Sequence, residues 1–164
     1  MKSFLHDLNE EVISLSKKVG YFIAGEQQNI TSADIGLKGL HDYVTHVDKT
    51  SEKRLVEGLS KILPGSGFLV EEGTVADAGN EYTWIVDPLD GTTNFIHGLP
   101  VFSISIALQQ NGLTIMGLVY DIKAGECFYA IKGAGAHLNG KQISVSVIPG
   151  LSEALLATGF PYND

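Results

Sequence analysis

The sequence predicts an α+β fold in which two amino-terminal helices pack on one face of an antiparallel β-sheet. Three observations support this prediction. Apolar residues recur at helical spacing before residue 64, short apolar runs of strand type fill the chain after Gly67, and Asn-Gly pairs separate several of these runs. With 164 residues, 44% of them hydrophobic and 18% charged, the chain is long enough to bury one sizeable core.

Two helices are expected in the first part of the chain. The first runs from about Ser3 to Glu26, and the second ends at Pro64-Gly65. Thr45 and Asp48 have the spacing of a capping box ahead of the second helix. The apolar residues at helical spacing are Phe4, Leu5, Leu8, Val12, Leu15, Val19, Phe22 and Ile23 in the first helix, and Leu55, Leu59, Ile62 and Leu63 in the second.

The rest of the chain is expected to form a meander of strands. Short apolar runs at 68–70 and 84–86 each end abruptly in acidic residues, and further strands are expected at 102–109, 113–120, 126–131 and around His137. Asn111-Gly112 and Asn139-Gly140 predict tight hairpin turns, and residues 123–125 predict a slightly longer one. We expect residues 1–150 to form one domain.

The charge balance restricts the partners of this chain. Eleven basic against nineteen acidic side chains give a formal net charge of −8, which argues against direct nucleic-acid binding. An anionic substrate would fit only if bound cations inverted the local field. No apolar run approaches the roughly 20 residues of a membrane span, the acidic start is unlike a secretory signal, and the single cysteine, Cys127, allows no internal disulfide. We therefore expect a cytoplasmic protein without a membrane partner.

Carboxylates follow both of the first two apolar strand runs. Glu71-Glu72 come directly after the first run, and Asp87 and Asp90 come directly after the second, in the sequence Asp-Pro-Leu-Asp. Carboxylates at the ends of buried strands repel one another unless a cation neutralises them, and magnesium prefers oxygen ligands of this kind. The proline holds the first aspartate extended, so the turn can direct both carboxylates and the carbonyl oxygen of Leu89 at one region.

A helix start is predicted directly after this acidic turn, at residues 91–94. Free backbone N–H groups and the helix dipole favour a phosphate at such a position. A metal site beside an anion site predicts hydrolysis of a phosphate ester, with metal-activated water as the nucleophile. Taken alone, residues 87–91 also fit a plain turn, and Glu71-Glu72 also fit a solvated strand end.

The longer string WIVDPLDGTTNF, from Trp84 to Phe95, closely resembles the first sequence motif of the inositol monophosphatase family, which comprises magnesium-dependent, lithium-sensitive phosphatases. Three further matches occur in the family's order: DYVT leading to Asp48, FLVEE ending at Glu72, and PVFSISIA from Pro100. Val70 departs from the pattern, because a glycine is common at that position. The resemblance implies the first half of an αβαβα layered sugar-phosphatase fold, with the second domain starting at 151–164 and its remainder absent from this chain.

The resemblance also implies a set of metal ligands. Glu71, Asp87 and the carbonyl oxygen of Leu89 would hold a first magnesium ion, and Asp87 with Asp90 would hold a second. Glu71 would contribute to a weaker third ion through water, so two or three ions are expected. Asp90 would in addition contact a hydroxyl group of the substrate.

Catalytic and phosphate-binding roles follow from the same resemblance. Thr92 with Glu71 would orient the attacking water, and Asp48 would form a hydrogen bond with Thr92. The amides of Gly91 and Thr92 would hold the phosphate, and Lys38 would lie on a mobile loop near the metals and the substrate.

The expected function is therefore magnesium-dependent hydrolysis of a phosphomonoester, inositol 1-phosphate or a similar polyol or sugar monophosphate. Fructose bisphosphate, histidinol phosphate and 3′-phosphonucleotides remain alternative substrates, and a regulatory protein that binds the transcription machinery is the alternative from another class. The oligomeric state stays open, with the homodimer common in the family. The family's second motif, a Trp-Asp followed by small residues, has no counterpart here, so little activity is expected from this chain alone.

Overall fold

The structure is a computed structural model, and it describes residues 2–31, 35–39, 42–73, 76–77 and 80–157. The elements in these ranges begin with two long helices and continue mainly as strands. In chain order they are α1 (Lys2–Glu26), β1 (Ile35–Gly39), β2 (Asp42–Thr45), α2 (His46–Ile62), β3 (Gly67–Val70), β4 (Ala76–Asp77), β5 (Tyr82–Asp90), α3 (Thr92–Ile96), β6 (Ser103–Gln110), β7 (Leu113–Asp121), β8 (Glu126–Ile131), β9 (Gly135–Leu138) and β10 (Lys141–Ile143).

Helices α1 and α2 pack against each other and cover one face of the sheet. The predicted bounds of α1 are confirmed to within one residue, and most of its apolar stripe is buried, whereas Phe4 at its start is exposed. The predicted capping box of α2 is confirmed as well. The Thr45 hydroxyl accepts a hydrogen bond from the Val47 N–H at 3.1 Å, and the Thr45 N–H donates one to Oδ2 of Asp48 at 2.8 Å. These bonds satisfy N–H groups that have no partner within the helix itself.

The main sheet has the strand order β10-β9-β8-β7-β6-β5-β3-β4 in the described part of the chain. Strands β5 to β10 run in sequence as antiparallel neighbours, which confirms the predicted meander. Strand β3 differs, because it pairs with β5 in parallel, with Val70 opposite Val86. In a parallel pair the carboxyl ends of both strands reach the same edge of the sheet. The two acidic strand ends therefore lie side by side.

The core lies between the two helices and the facing side of the sheet. Helix α1 packs over β6 to β8, and α2 packs over β5. Among the described residues of the core, the largest fully buried side chain is that of Trp84 on β5, and the side chains of Leu55, Leu59 and Leu108 are also fully buried. The opposite side of the sheet carries an apolar groove of about 460 Å³ along β5 to β9. None of the described helices is both long and apolar enough to cross a bilayer.

The end of the chain differs from the sequence prediction in its described part. A strand was expected from Leu155 to Pro161, as the start of a second domain. Residues 154–157 have no regular secondary structure, and they follow a short 3₁₀ turn at Leu151–Glu153. Residues 158–164 lie outside the described part of the chain.

Candidate active site

Glu71 and Asp87 meet where β3 ends beside the last part of β5. Each follows directly after a residue of the aligned pair Val70 and Val86, so the parallel register places the two side chains next to each other. Asp87 is half-buried and donates a hydrogen bond to the Glu71 carboxylate, and its Oδ1 accepts one from the Leu89 N–H at 3.1 Å. The sequence motif alone did not show this direct contact between the two carboxyl groups.

Burial and the neighbouring carboxyl groups raise the pKa of Asp87. Burial raises its pKa to about 8, and the hydrogen bond to Glu71 and the charges of Glu71 and Asp90 act in the same direction. The Leu89 N–H acts in the opposite direction, because it stabilises the ionised form. Without a cation, Asp87 is therefore a proton donor at neutral pH.

The donor set of this site decides whether it fits magnesium. Among the described residues, no three His, Cys, Asp or Glu side chains are gathered closely enough to hold a metal ion. Glu71 and Asp90 nevertheless both raise the pKa of Asp87, and all three side chains carry hard carboxylate oxygens. A divalent cation would relieve the repulsion between these carboxylates, and magnesium prefers oxygen ligands of this kind. The chemistry of these donor atoms therefore fits magnesium.

A β-bulge in β5 sets the direction of the acidic turn. Asp87 lies opposite Ser105 and Asp90 lies opposite Ser103, so β5 has one more residue than β6 between these two pairs. The proline at position 88 cannot donate a ladder hydrogen bond, which is why pairing is interrupted there. Leu89 is buried, whereas the Asp90 side chain is exposed.

Thr92, the first residue of α3, lies against helix α2. Its hydroxyl oxygen is 2.9 Å from Oδ1 of Asp48 and 3.0 Å from the carbonyl oxygen of Leu89. The hydroxyl has one proton and both neighbours are acceptors, so its lone pairs remain available to a donor from outside. The expected hydrogen bond between Asp48 and Thr92 is present. Asp48 itself is buried, with 2% of its surface exposed.

Gly91 makes the sharp step from β5 into α3. Its φ is +94°, in the left-handed region that favours glycine. A Cβ at this position would lie 2.9 Å from the Val101 carbonyl oxygen and 3.3 Å from Cα of Phe102. Only a glycine therefore allows α3 to start this close to the strand that follows it. As the N-cap residue of α3, Gly91 makes no side-chain capping hydrogen bond.

Gln27 is one residue in this region that the sequence reasoning missed. It follows the end of α1, and its Nε2 lies 3.3 Å from the carbonyl oxygen of Phe95 and 3.4 Å from that of Leu99. Its Oε1 accepts a hydrogen bond from Nζ of Lys123 at 3.1 Å. Gln27 thus connects the end of α3 to the β7–β8 turn.

Glu52 is a second residue that the sequence reasoning missed. It lies on α2 four residues after Asp48, its side chain is fully buried, and its Oε2 accepts a hydrogen bond from the Glu72 N–H at 2.6 Å. The available signal was the spacing of four residues, which places both carboxyl groups on one face of the helix. Lys38 lies in strand β1, whereas the resemblance implied a mobile loop. The structure describes its backbone but not its side chain, so its position relative to the metals stays a prediction.

Comparison with known proteins identifies close relatives of this chain. The sequence matches the inositol monophosphatase family over residues 5–164. Nus factor SuhB of Vibrio cholerae is 40% identical over 160 residues, which are 97% of this chain and 60% of that protein. An inositol-1-monophosphatase of Caulobacter vibrioides is 42% identical over 154 residues, with 92% and 60% covered.

A solved structure confirms the fold. The Thermotoga maritima IMPase matches with a TM-score of 0.80 at 37% identity, over 86% of this chain and 54% of that chain. The chain spans about 60% of the length of the two curated relatives named above. The match to the family extends over nearly the whole sequence, and the sheet, the helices and the resembling motif agree with it. This chain belongs to the inositol monophosphatase family.

Proposed function

We propose that this protein hydrolyses phosphomonoesters in a magnesium-dependent reaction, with inositol 1-phosphate or a similar polyol or sugar monophosphate as substrate. The observation that carries the proposal is the juxtaposition of two pairs of residues. In the first pair, the carboxyl groups of Glu71 and Asp87 are joined by a hydrogen bond where β3 ends. The Thr92–Asp48 pair, at the start of α3, is joined to it through Leu89, whose N–H contacts Asp87 and whose carbonyl oxygen contacts Thr92.

The acidic residues at this edge form the proposed metal site. Glu71, Asp87, Asp90 and the carbonyl oxygen of Leu89 would hold two or three magnesium ions. Bound magnesium supplies charge stabilisation for the phosphoryl oxygens and lowers the pKa of water. Asp87 must release its proton on metal loading, so apparent magnesium affinity should rise with pH up to about 8.

The Thr92 hydroxyl is the proposed hydrogen-bond acceptor that orients the attacking water. Its own proton is directed at Asp48 and Leu89, so its free lone pairs can accept a hydrogen bond from water and orient that water toward phosphorus. Glu71 would assist from the adjacent strand end. The amides of Gly91 and Thr92 would hold the phosphate at the start of α3.

A cleft lies beside Asp90. It has a volume of about 270 Å³, and Asp90, Gly91, Asn94 and Asp121 are among its lining residues. Asp90 would contact a substrate hydroxyl there. Lys38 is proposed to lie near the metals and the substrate, on the resemblance alone.

The experiment that tests the substrate class is a phosphate-release assay with the whole gene product. The panel contains inositol 1-phosphate, fructose 1,6-bisphosphate, histidinol phosphate and 3′-phosphoadenosine 5′-phosphate at equal concentrations. Inositol 1-phosphate or another polyol monophosphate should give the highest kcat/KM. A clear preference for the 3′-phosphonucleotide would contradict the substrate proposal.

A second candidate function is binding to the transcription machinery. The observation that favours it is the 40% identity to a protein named Nus factor SuhB. The net charge of −8 favours a protein partner over nucleic acid. A pull-down with purified RNA polymerase, run beside the phosphate-release assay, separates the two roles. Retention of polymerase together with absence of phosphate release would favour the regulatory role.

A further inference from the structure

We infer that Glu52 is a positioning residue of the proposed site, whose buried carboxyl group fixes the backbone at Glu71-Glu72 and so holds Glu71 beside Asp87. The inference rests on the proposed function, because that function makes Glu71 and Asp87 metal ligands. Glu52 lies on α2, whereas Glu71 follows β3 and Asp87 lies in β5. No direct contact between Glu52 and substrate or metal is involved.

The hydrogen bond of Glu52 lies where the strand ladder has already ended. Among the described residues, strand β3 pairs with β5 as far as Val70 and with β4 at Phe68 and Leu69. The next two residues therefore lie outside the register that aligns the strands. Oε2 of Glu52 accepts the Glu72 N–H at 2.6 Å, which attaches this strand end to α2 instead. Such a short bond from an amide to a carboxyl oxygen belongs to the stronger class of protein hydrogen bonds.

Helix α2 holds two parts of the site with one face. Asp48 and Glu52 are four residues apart, so their side chains project from the same side of the helix. Asp48 reaches Thr92 at the start of α3, and Glu52 reaches the backbone after β3. Because a helix is rigid over one turn, the distance between these two attachments is fixed. Helix α2 thereby fixes the position of the Thr92 hydroxyl, which is proposed to orient the water, relative to the proposed metal ligand Glu71.

The burial of Glu52 distinguishes this role from that of an ordinary surface carboxylate. Its side chain is fully buried, and the apolar side chains of Leu55 and Leu59 on the same helix are fully buried as well. A buried carboxyl group costs free energy unless it is hydrogen-bonded, and an apolar residue of similar volume would be more favourable for stability alone. Groups that hold metal ligands by hydrogen bonds typically change metal affinity by about 10- to 100-fold when they are replaced.

Two conservative substitutions at Glu52 separate the effect of side-chain length from the effect of charge. Glu52→Asp keeps the carboxylate but shortens the side chain by one methylene group, so it cannot make the bond to the Glu72 N–H without backbone movement. Glu52→Gln keeps the length and an acceptor oxygen but removes the charge. Leu59→Ala is the matched control, because it creates a cavity in the same helix and lowers stability without altering the carboxyl group.

The experiment measures magnesium affinity by calorimetry on the whole gene product after metal removal. It also measures hydrogen exchange of the Glu72 amide by NMR in the metal-free protein. We expect Glu52→Asp to bind magnesium about 10-fold or more weakly and to lose amide protection. Glu52→Gln should stay within about threefold of the wild type and keep the protection. Leu59→Ala should unfold at a lower temperature with unchanged magnesium affinity.

Two outcomes would overturn the inference. Normal magnesium affinity in Glu52→Asp together with weak magnesium binding in Glu52→Gln would show that the charge of residue 52 matters and the length of its side chain does not. Unchanged affinity in both variants would make Glu52 a core residue only. Neither readout uses turnover, so a wild type that binds magnesium but releases no phosphate would contradict the proposed function and still leave the role of Glu52 decided.

Discussion

The Thr92 hydroxyl donates a hydrogen bond to Asp48 across 44 residues of sequence, with 2.9 Å between Oγ1 and Oδ1. The other oxygen of Asp48 accepts two hydrogen bonds from Thr45, from the N–H at 2.8 Å and from the hydroxyl at 2.6 Å. One carboxyl group therefore caps its own helix and orients a hydroxyl at the start of another. The first turn of α2 is structural and belongs to the proposed site at the same time.

This relationship predicts the behaviour of Thr92→Val. The substitution keeps the shape of the side chain and removes the hydroxyl, so the proposed acceptor for the attacking water is lost. We expect kcat for phosphate release to fall by about 100-fold or more. Thr92→Ser, which keeps the hydroxyl, should retain most of the activity. If Thr92→Val worked at more than half of the wild-type rate, Thr92 would have no part in orienting the water.

The raised pKa of Asp87 predicts that the metal-free protein loses stability as pH rises. The folded state keeps the proton up to about pH 8, whereas the unfolded chain releases it near the ordinary pKa of 3.8. Between these values the folded state binds more protons, so this group's contribution to the free energy of unfolding is present below about pH 4 and is lost progressively toward pH 8. Because Asp87 is only half-buried, solvent screening reduces the effect to about 2 kcal/mol.

The substitution Asp87→Asn tests this pH dependence. Asparagine resembles the protonated side chain but cannot ionise in the unfolded chain, so the variant should be more stable than the wild type near pH 8 and no more stable at pH 4. The measurement is urea unfolding with a chelator at pH 4, 6 and 8. Stability curves of the two proteins that run parallel across this range would contradict the assigned pKa.

The geometry at Gly91 predicts a large loss of stability for Gly91→Ala. The new Cβ would lie 2.9 Å from the Val101 carbonyl oxygen, at a φ of +94°. We expect a loss of about 2–4 kcal/mol in stability and a fall in activity, because the start of α3 has to move. Gly98→Ala is the control, since Gly98 has a φ of +72° and a Cβ added there would meet nothing within 4 Å. Equal losses in the two variants, measured by urea unfolding, would mean that the close approach at Gly91 is unimportant.

Lithium sensitivity is implied by the family resemblance and by the small, hard carboxylate site. We expect lithium to replace one magnesium ion after turnover and to delay phosphate release. The measurement is a lithium titration of phosphate release at saturating magnesium, with sodium chloride as the control salt. Equal and weak responses to the two ions would count against this interpretation of the site.

The elements that sequence reasoning predicted well depend on local patterns. The apolar stripe of α1, the capping box at Thr45 and the Asn-Gly hairpins each lie within one short window of sequence, so periodicity and turn chemistry specify them. The acidic turn around Asp87 was recognisable for the same reason. Its proline and its two aspartates lie within four residues.

The features that sequence reasoning missed depend on contacts between distant segments. The parallel pairing of β3 with β5 joins strands between which β4 lies in the sequence, and no local signal distinguishes it from antiparallel pairing. The hydrogen bond between the Glu71 and Asp87 carboxyl groups follows from that pairing and was therefore missed too. The bond from Glu52 to the Glu72 N–H spans 20 residues and depends on how α2 packs over the sheet.

The most direct test of the central claim is phosphate release from inositol 1-phosphate by the whole gene product, measured from chelator alone to saturating magnesium. The wild type and Asp87→Asn are compared, with unfolding curves to show that both are folded. The proposed metal-dependent reaction predicts that release by the wild type requires magnesium and that Asp87→Asn lowers turnover by orders of magnitude. Release that persists with the chelator, or near-normal turnover of Asp87→Asn at low magnesium, would contradict it.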